Sequence, residues 1–165
     1  MITIRNYKNI DLNILYQIRN DETLQKNLMS LPKKESYDDV VKWIQIKQSK
    51  DIFKIISIEE SDQCIGYIQI VDINNSLFGK LGIAIHKKYQ NFGYGQKALK
   101  IFFNNLKEKT NLKKILLEVL STNKNAIKVY EKLGFKQINI LKNHFLLNEK
   151  LIDVIVMEKK LNEKK

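Results

Sequence analysis

The segment 90–95, with the sequence QNFGYG, constrains the fold of this chain more than any other stretch. An apolar run of strand character precedes it at 81–85, and apolar residues at helical spacing follow it from Ala98 to Leu106. A strand, a glycine-containing loop and a helix start together direct backbone N–H groups and the positive helix end at an anion. Both glycines are expected to supply a positive φ and a backbone without a Cβ. The segment therefore predicts a pyrophosphate-binding loop, and a plain tight turn is the alternative.

Spacing argues against two other nucleotide-binding motifs. The P-loop requires Gly-Lys-Ser/Thr, whereas Gly95 is followed by Gln96-Lys97-Ala98. The dinucleotide fingerprint has a third glycine where Ala98 stands, a replacement that some members tolerate. That fingerprint also belongs to a series of parallel strands, and the chain ahead of the loop is typical of antiparallel hairpins.

Length and composition indicate one globular domain, residues 1–165, that is long enough to bury a core. The N-terminus alternates like a strand and has no signal pattern, and no apolar run approaches the roughly 20 residues of a membrane span. A single cysteine, Cys64, cannot form an internal disulfide. These features predict a cytoplasmic protein with no membrane partner.

The net charge of +11 comes almost entirely from lysine, because Arg5 and Arg19 are the only arginines. The lysines are spread along the chain without a dense cluster, and arginine dominates specific contacts to bases. We therefore expect no nucleic-acid partner. Dispersed positive charge instead favours anionic ligands, which points to a molecule that carries phosphate.

Hydrophobic patterning predicts an α/β (α+β) domain with a mixed sheet of about seven strands and about four helices. The sheet is expected to be antiparallel on its N-terminal side and to have a parallel pair at its middle, joined by the helix that follows the glycine loop. Strands are predicted at 2–7, 53–58, 64–73, 77–85, 114–120, 137–145 and 151–157, with a turn at 74–76 and a charged tail at 158–165. Helices are predicted at 11–19, 24–29, from Ser36, at 95–108 and at 121–133.

Two motifs in register resemble the GNAT superfamily of N-acetyltransferases. Gln90-x-x-Gly93-x-Gly95 resembles that family's acetyl-CoA loop, and Asn123-x-x-Ala126-x-x-x-Tyr130-x-x-x-Gly134-Phe135 resembles the motif that follows it. The chain ending, 142–157, is similar to a subgroup that contains ribosomal-protein N-terminal acetyltransferases and nucleotide-amino-sugar N-acetyltransferases. The resemblance covers nearly the whole chain and is weakest at 21–50.

The resemblance implies acetyl-CoA as the acetyl donor and no metal. It assigns the pantetheine arm to backbone groups of Ile83 and Ile85, with Asn123 binding that arm or orienting the loop. Tyr130 would protonate the departing thiolate, a suitable task for a phenol of pKa near 10. The alternatives are a core role for Tyr130 and a helix N-cap role for Asn123. The pyrophosphate would be bound by N–H groups of Gln90, Asn91, Phe92, Gly93, Tyr94 and Gly95.

The general base is not identified by the sequence. Many family members carry a glutamate eleven residues ahead of the loop glutamine, and Gly79 occupies that position here. The remaining candidates for the general base are Glu118, His86 and His144. Glu118 alternates with the core residue Val119, so its carboxylate is expected to be solvated. His86 lies at a strand end and is expected at the surface. His144 falls on a late strand that commonly lines the acceptor cleft in this family.

The expected acceptor is a primary amine, first a nucleotide-linked amino sugar, because the ending and the positive charge both favour it. A protein or peptide N-terminus is the alternative, and a polyamine would meet like charge. From other classes, a non-catalytic acyl-CoA-binding module and a lysine-rich nucleic-acid binder stay open, as does a homodimer. Arg19, Tyr37 and Trp43 come from the segments that would cover the acceptor site, although a Trp43 at helical spacing is also typical of a core.

Overall fold

The structure, a computed structural model, describes residues 1–74 and 77–161, and within this range the side chains of 72–74 and 107–109 are not described. The described residues form seven strands and five α-helices. In chain order these are β1 (Ile2–Arg5), α1 (Leu12–Arg19), α2 (Glu22–Asn27), α3 (Tyr37–Lys50), β2 (Ile52–Ile58), β3 (Gln63–Asn74), β4 (Phe78–Ile85), α4 (Tyr94–Lys109), β5 (Lys114–Leu120), α5 (Lys124–Lys132), β6 (Lys136–Leu147) and β7 (Lys150–Lys160).

All seven strands join one sheet in the order β1-β2-β3-β4-β5-β7-β6. Every neighbouring pair is antiparallel except β4 and β5, which are parallel and are connected through α4. A parallel pair needs such a crossover because the chain must return to the same end of the sheet. The predicted mixed sheet of seven strands with one parallel pair at its middle is confirmed.

Each face of the sheet is covered by helices because side chains alternate along the strands. On one face, Ile56 and Ile68 pack with α4 residues such as Phe102, and α5 packs against the same cluster. On the other face, Ile55 and Tyr67 pack with residues of α1 and α3. The sheet is therefore buried on both sides, with α1, α2 and α3 opposite α4 and α5.

The helix α3 begins with a capping box formed by Ser36 and Asp39. The Ser36 hydroxyl accepts a hydrogen bond from the Asp39 amide at 3.1 Å, and the Asp39 carboxylate accepts one from the Ser36 amide at 2.9 Å. Asp21 caps α2 in the same way, through the Leu24 amide at 3.0 Å. These caps fix where the two helices beside the cleft begin.

Several predicted boundaries differ from the observed ones. The five predicted helical segments correspond to the five α-helices of the described residues with shifted ends, and β1 ends at Arg5 rather than at residue 7. The strand β7 continues through Lys160 because its last residues pair with β5, so 158–160 is not a tail. Residues 75–76 of the predicted turn and 162–165 of the predicted tail lie outside the described residues.

Within the described chain, no helix has both the length and the apolar composition that crossing a membrane requires.

Candidate active site

The strands β4 and β5 separate at the middle of the sheet. Their parallel register holds for three residue pairs, the last of which is Lys80 with Leu116. Beyond it, β5 stays paired with β7 through Leu120, while β4 stays paired with β3 through Ile85. A cleft therefore opens between the carboxyl ends of two parallel strands, which is the position where open α/β sheets bind ligands.

The edge of β4 that faces this cleft carries free backbone groups. The His86 amide donates to the Ile65 carbonyl at 2.8 Å, which makes that residue pair a hydrogen-bonded one. Because antiparallel pairs alternate, Ile85 and Ile83 direct their amides and carbonyls away from β3 and toward the cleft. Both residues line the cavity described below, and their position suits the strand-like pairing that the resemblance implies.

The loop before α4 exposes a row of backbone N–H groups. Gly93 is the N-cap of α4 and has φ +75°, and Asn91 has φ +66°. In the described part of the chain, the amides of residues 91–96 have no hydrogen-bond partner. The positive end of a four-turn helix and these amides together form an anion-binding surface.

The two loop glycines, Gly93 and Gly95, differ in backbone conformation and in the space around them. A Cβ on Gly93 would meet no atom within 4 Å, so its positive φ is what favours glycine there. Gly95 lies in the first turn of α4, and a Cβ on it would make ordinary contacts of 3.9 Å with Ile83 and Ile85. The expectation that Gly95 needs a positive φ is therefore wrong.

Gln90 ties the loop to the end of β4. Its side-chain amide donates to the Ile85 carbonyl at 2.8 Å, and its backbone amide donates to the Lys87 carbonyl at 3.4 Å. The Ile85 carbonyl is thus occupied, so only its amide remains free at the cleft edge. Gln90 therefore acts within this structure as a clamp between the strand and the anion-binding loop.

A cavity of about 800 Å³ fills the cleft and extends from this loop to α1, α2 and α3. It brings together nearly all of the residues that the sequence predicts for the site. Phe92 is the exception, since its side chain is 65% exposed and does not line the cavity. The predicted residues that line it are Ile83, Ile85, Gln90, Asn91, Gly93, Tyr94, Gly95, Asn123 and Tyr130.

Asn123 and Tyr130 enter the cavity from α5. Asn123 is the N-cap of α5, and its side-chain oxygen accepts a hydrogen bond from the Ala126 amide at 3.2 Å. The Tyr130 ring packs edge-on against Phe135, and burial raises the pKa of its phenol to about 12. No described residue hydrogen-bonds the Tyr130 hydroxyl, so this donor is available to a ligand.

Glu118 is the one carboxylate among the described residues that line the cavity. It lies on β5 two residues past the last pair with β4, and its carboxylate is 2.8 Å from the Lys80 ammonium. Alternation correctly directs Glu118 away from the core residue Val119, but that face opens into the cleft. The expected solvated carboxylate is 30% exposed and ion-paired. Gly79, at the position of the family glutamate, is buried.

Neither histidine lies in the cavity lining. The expectation that His86 lies at the surface is wrong, because this residue is 3% exposed and hydrogen-bonds Gln17 at 3.0 Å. Its Nδ1 accepts a bond from the Lys88 amide at 3.3 Å, and burial together with Lys88 and Lys87 lowers its pKa. His144 lies on the edge strand β6, is exposed and does not line the cavity, which overturns its expected place in the acceptor cleft.

The end of the cavity that α1, α2 and α3 line is called the acceptor end below. The sequence singled out Arg19 and Trp43 for this end but not the lysines that lie there. Arg19, Lys33, Lys47 and Lys80 give this part of the cavity a positive lining, with Glu118 as the one described acidic residue in it. Trp43 also lines the cavity, and the Arg19 guanidinium lies 4.6 Å above its ring. The general lysine excess was visible in the sequence, but the grouping of these residues depends on how α1 and α3 pack.

The residues present fit acetyl-CoA as the donor. Three kinds of group line one cavity: free backbone groups on β4, unpaired amides at the start of α4 and a buried phenol. They suit, respectively, the pantetheine amides, the pyrophosphate and the thioester of acetyl-CoA. Within the described chain, no group of three or more His, Cys, Asp or Glu side chains is arranged to hold a metal ion.

Comparisons with known proteins agree with this geometry. Residues 2–136 match the family model of the acetyltransferase (GNAT) domain. An N-alpha-acetyltransferase of Sulfurisphaera tokodaii is 26% identical over 147 residues, which cover 79% of this chain and 86% of that protein. The ribosomal protein bS18 alanine N-acetyltransferase of Escherichia coli is 35% identical over 75 residues, 46% of this chain and 50% of that protein.

Among solved structures, a spermidine N-acetyltransferase from Vibrio cholerae in complex with CoA and spermine has a TM-score of 0.88 at 22% identity. The alignment covers 97% of this chain and 95% of that one, so the two folds agree over nearly their full length. The family match, the relatives and the site lead to one assignment. This chain belongs to the GNAT acetyltransferase family and is an acetyl-CoA-dependent N-acetyltransferase.

Proposed function

We propose that this enzyme acetylates the primary amine of a nucleotide-linked amino sugar. The observation that carries the proposal is an excess of positive charge at the acceptor end of the cleft. The four cations that line it, Arg19, Lys33, Lys47 and Lys80, share three carboxylates, which are Glu35, Asp51 and Glu118. An acceptor that carries a diphosphate is attracted to such a lining, whereas a polycation is repelled. The subgroup resemblance of residues 142–157 supports the same class of acceptor.

The donor half of the site is assigned to the loop and strand residues. Ile83 and the amide of Ile85 pair with the pantetheine arm, and the amides of residues 91–96 bind the pyrophosphate. Gln90 holds this loop against β4. The Asn123 side chain caps α5 and presents its remaining amide group to the cleft. Bound acetyl-CoA supplies an acetyl thioester that a neutral amine can attack directly.

The two proton-transfer roles are assigned to Tyr130 and Glu118. Tyr130 donates its proton to the departing thiolate, because its raised pKa keeps the phenol protonated at neutral pH. Glu118 accepts the proton that the amine loses, directly or through one water molecule, in place of the glutamate that Gly79 replaces. Lys80 holds the Glu118 carboxylate at the point where the strands separate.

A protein N-terminus is the second candidate acceptor. It is favoured by relatives described as an N-alpha-acetyltransferase and a ribosomal-protein alanine N-acetyltransferase. The spermidine acetyltransferase of Vibrio cholerae shares the fold at 22% identity, and the lining of this cleft disfavours spermidine. We also propose that residues 1–165 act as one domain and that the protein is a cytoplasmic homodimer.

The test is release of free thiol from acetyl-CoA in the presence of single amines. The panel contains nucleotide-linked amino sugars, peptides with free N-termini and spermidine, each assayed with wild type and the Tyr130→Phe variant. We expect tyrosine-dependent release that is fastest with an amino-sugar nucleotide. Release with peptides alone would replace the proposed acceptor by a protein N-terminus, and release with spermidine alone would contradict the charge argument.

A further inference from the structure

A second cavity, of about 400 Å³, adjoins the acceptor end of the cleft. Arg19, Lys33 and Trp43 line both cavities, so the two cavities adjoin, and we call them together the groove. The second cavity lies between the segment that precedes α3 and the exposed side of that helix, where Lys34 and Lys42 complete its lining. A ligand of the cleft that extends past Arg19, Lys33 and Trp43 would reach this second cavity.

The charges of this second cavity are unevenly paired. Glu35 accepts two bonds from Arg19, at 2.7 and 2.6 Å, and lies 3.0 Å from the Lys33 ammonium. Asp39, the other carboxylate in the lining, is engaged by Ser36 in the cap of α3. Lys34 and Lys42 form no salt bridge with any described residue, and Lys42 acts on Asp39 only as a minor cause, after Ser36, of its lowered pKa. Two ammonium groups are thus left for a ligand.

The floor of the second cavity is rigidly held. Trp43 packs edge-on against Phe53 and Tyr67, with ring centroids 5.3 and 5.2 Å away. Arg19 lies on the Trp43 ring and is fixed by its two bonds to Glu35. The Arg19 guanidinium is therefore a structural group rather than a free cation, because its paired N–H donors already bind a carboxylate. Lys34 and Lys42 therefore border an ordered surface formed by the Trp43 ring and the Arg19 guanidinium.

We propose that the second cavity is an anion subsite that binds the phosphate groups of the amine acceptor, with Lys34 and Lys42 as the ligating cations. This assignment rests on the proposed function for the identity of the acceptor, but the binding of phosphate to the subsite does not depend on turnover. The chemistry recognised is a diphosphate at the end of the groove that is remote from the loop at 90–95. Lysine binds such groups as a point charge, so the interaction weakens with ionic strength.

The probe is uridine diphosphate, titrated calorimetrically into protein whose donor site is saturated with CoA. The double variant Lys34→Ala/Lys42→Ala is compared with Lys50→Ala/Lys132→Ala, which removes the same charge from exposed lysines that line neither cavity. We expect the first pair to raise the Kd of uridine diphosphate about tenfold and the second to change it less than about twofold. Raising the salt concentration is expected to weaken binding to wild type and to narrow the difference between the two pairs.

Equal Kd values for the two double variants, or no binding of uridine diphosphate to the CoA-saturated wild type, would overturn the subsite. The proposed function has a separate readout, which is thiol release with nucleotide-linked amino sugars. A shifted Kd without any such release leaves the subsite supported and removes the proposed acceptor. Release with an unchanged KM for that acceptor in Lys34→Ala/Lys42→Ala leaves the enzyme function intact and contradicts the subsite.

Discussion

The Lys80 ammonium and the Glu118 carboxylate lie 2.8 Å apart at the point where β4 and β5 separate. The pair joins the two strands beside their last backbone pairing, and both side chains line the cavity. The ion pair therefore orients the Glu118 carboxylate within the cleft. In the proposed mechanism, Glu118 takes the role of the carboxylate that is absent at Gly79.

Replacing Glu118 by Gln is expected to lower kcat/KM by roughly 10²-fold or more, because the amine loses its general base. Binding of acetyl-CoA is expected to stay unchanged, since its proposed ligands, which lie on β4, on the following loop and at Asn123, do not include Glu118. Thiol release and calorimetric titration measure the two quantities. Glu131→Gln, at an exposed residue of α5 outside the cavity lining, serves as the matched control. Full activity in Glu118→Gln would remove this residue from the mechanism.

Lys80→Met keeps the length of the side chain and removes the charge that orients Glu118. We expect a smaller loss of turnover than in Glu118→Gln, on the order of tenfold, since the base remains but is less well held. The double variant is expected to be no slower than Glu118→Gln, because residues that act through one pair have non-additive effects. If the two losses in kcat multiply instead, Lys80 acts independently of Glu118.

Tyr130→Phe is expected to lower kcat by roughly 10²-fold or more while acetyl-CoA binding persists, which is the scale of losing a general acid. Because burial raises the pKa of Tyr130 to about 12, the phenol stays protonated well above neutral pH. We therefore expect no decline of kcat between pH 7 and about 10 from ionisation of this residue. Tyr16→Phe, on α1 and outside the cavity lining, controls for the loss of a phenol. Unchanged turnover in Tyr130→Phe would make this residue part of the core only.

The parts of the site that local sequence patterns specify were predictable. A strand, a loop with Gly93 in a left-handed conformation and a helix follow one another in the chain, so residues 79–95 reveal the donor side directly. The cap of α3 and the parallel pair are predictable for the same reason. Each depends on spacing within one segment or on the length of one crossover.

The parts that depend on packing between distant segments were not predictable. Glu118 alternates correctly with Val119, but a cleft on that face exists only because β4 leaves β5 after Lys80. His86 is buried because Gln17 on α1 reaches over the end of β4, 69 residues away in sequence. The basic lining of the acceptor end likewise results from the way α1 and α3 pack on the sheet. Alternation and helical period carry no information about such contacts.

Gly93 offers a test that separates backbone strain from ligand contact. Gly93→Ala forces a Cβ into a backbone with φ +75°, which costs about 1 kcal/mol of the free energy of unfolding. Asparagine tolerates this conformation, so Gly93→Asn should be close to wild type in urea unfolding. Both variants place a side chain over the free amides, and we expect both to raise the KM for acetyl-CoA about tenfold or more. A normal KM in Gly93→Asn would show that strain alone explains the glycine.

His86 is expected to make stability depend on pH in the weakly acidic range. Burial, with Lys88 and Lys87 nearby, lowers its pKa below the usual value of about 6.5, so the folded state binds a proton less readily than the unfolded state. The stability it contributes is complete above pH of about 6.5 and is lost as pH falls toward the lower folded-state pKa. A proton on Nδ1 would also face the Lys88 amide, from which this nitrogen now accepts a hydrogen bond.

The measurement is the urea midpoint at pH 7.5 and at pH 5.5 for His86→Asn, His144→Asn and wild type. We expect wild type and His144→Asn, which alters an exposed histidine, to lose more stability between the two pH values than His86→Asn does. Wild type and His86→Asn differ in one titrating group, so the difference between them isolates His86, and His144→Asn controls for the loss of a histidine elsewhere. The same decrease in all three would mean that the folded and unfolded states bind a proton at His86 equally well, in contradiction to its burial.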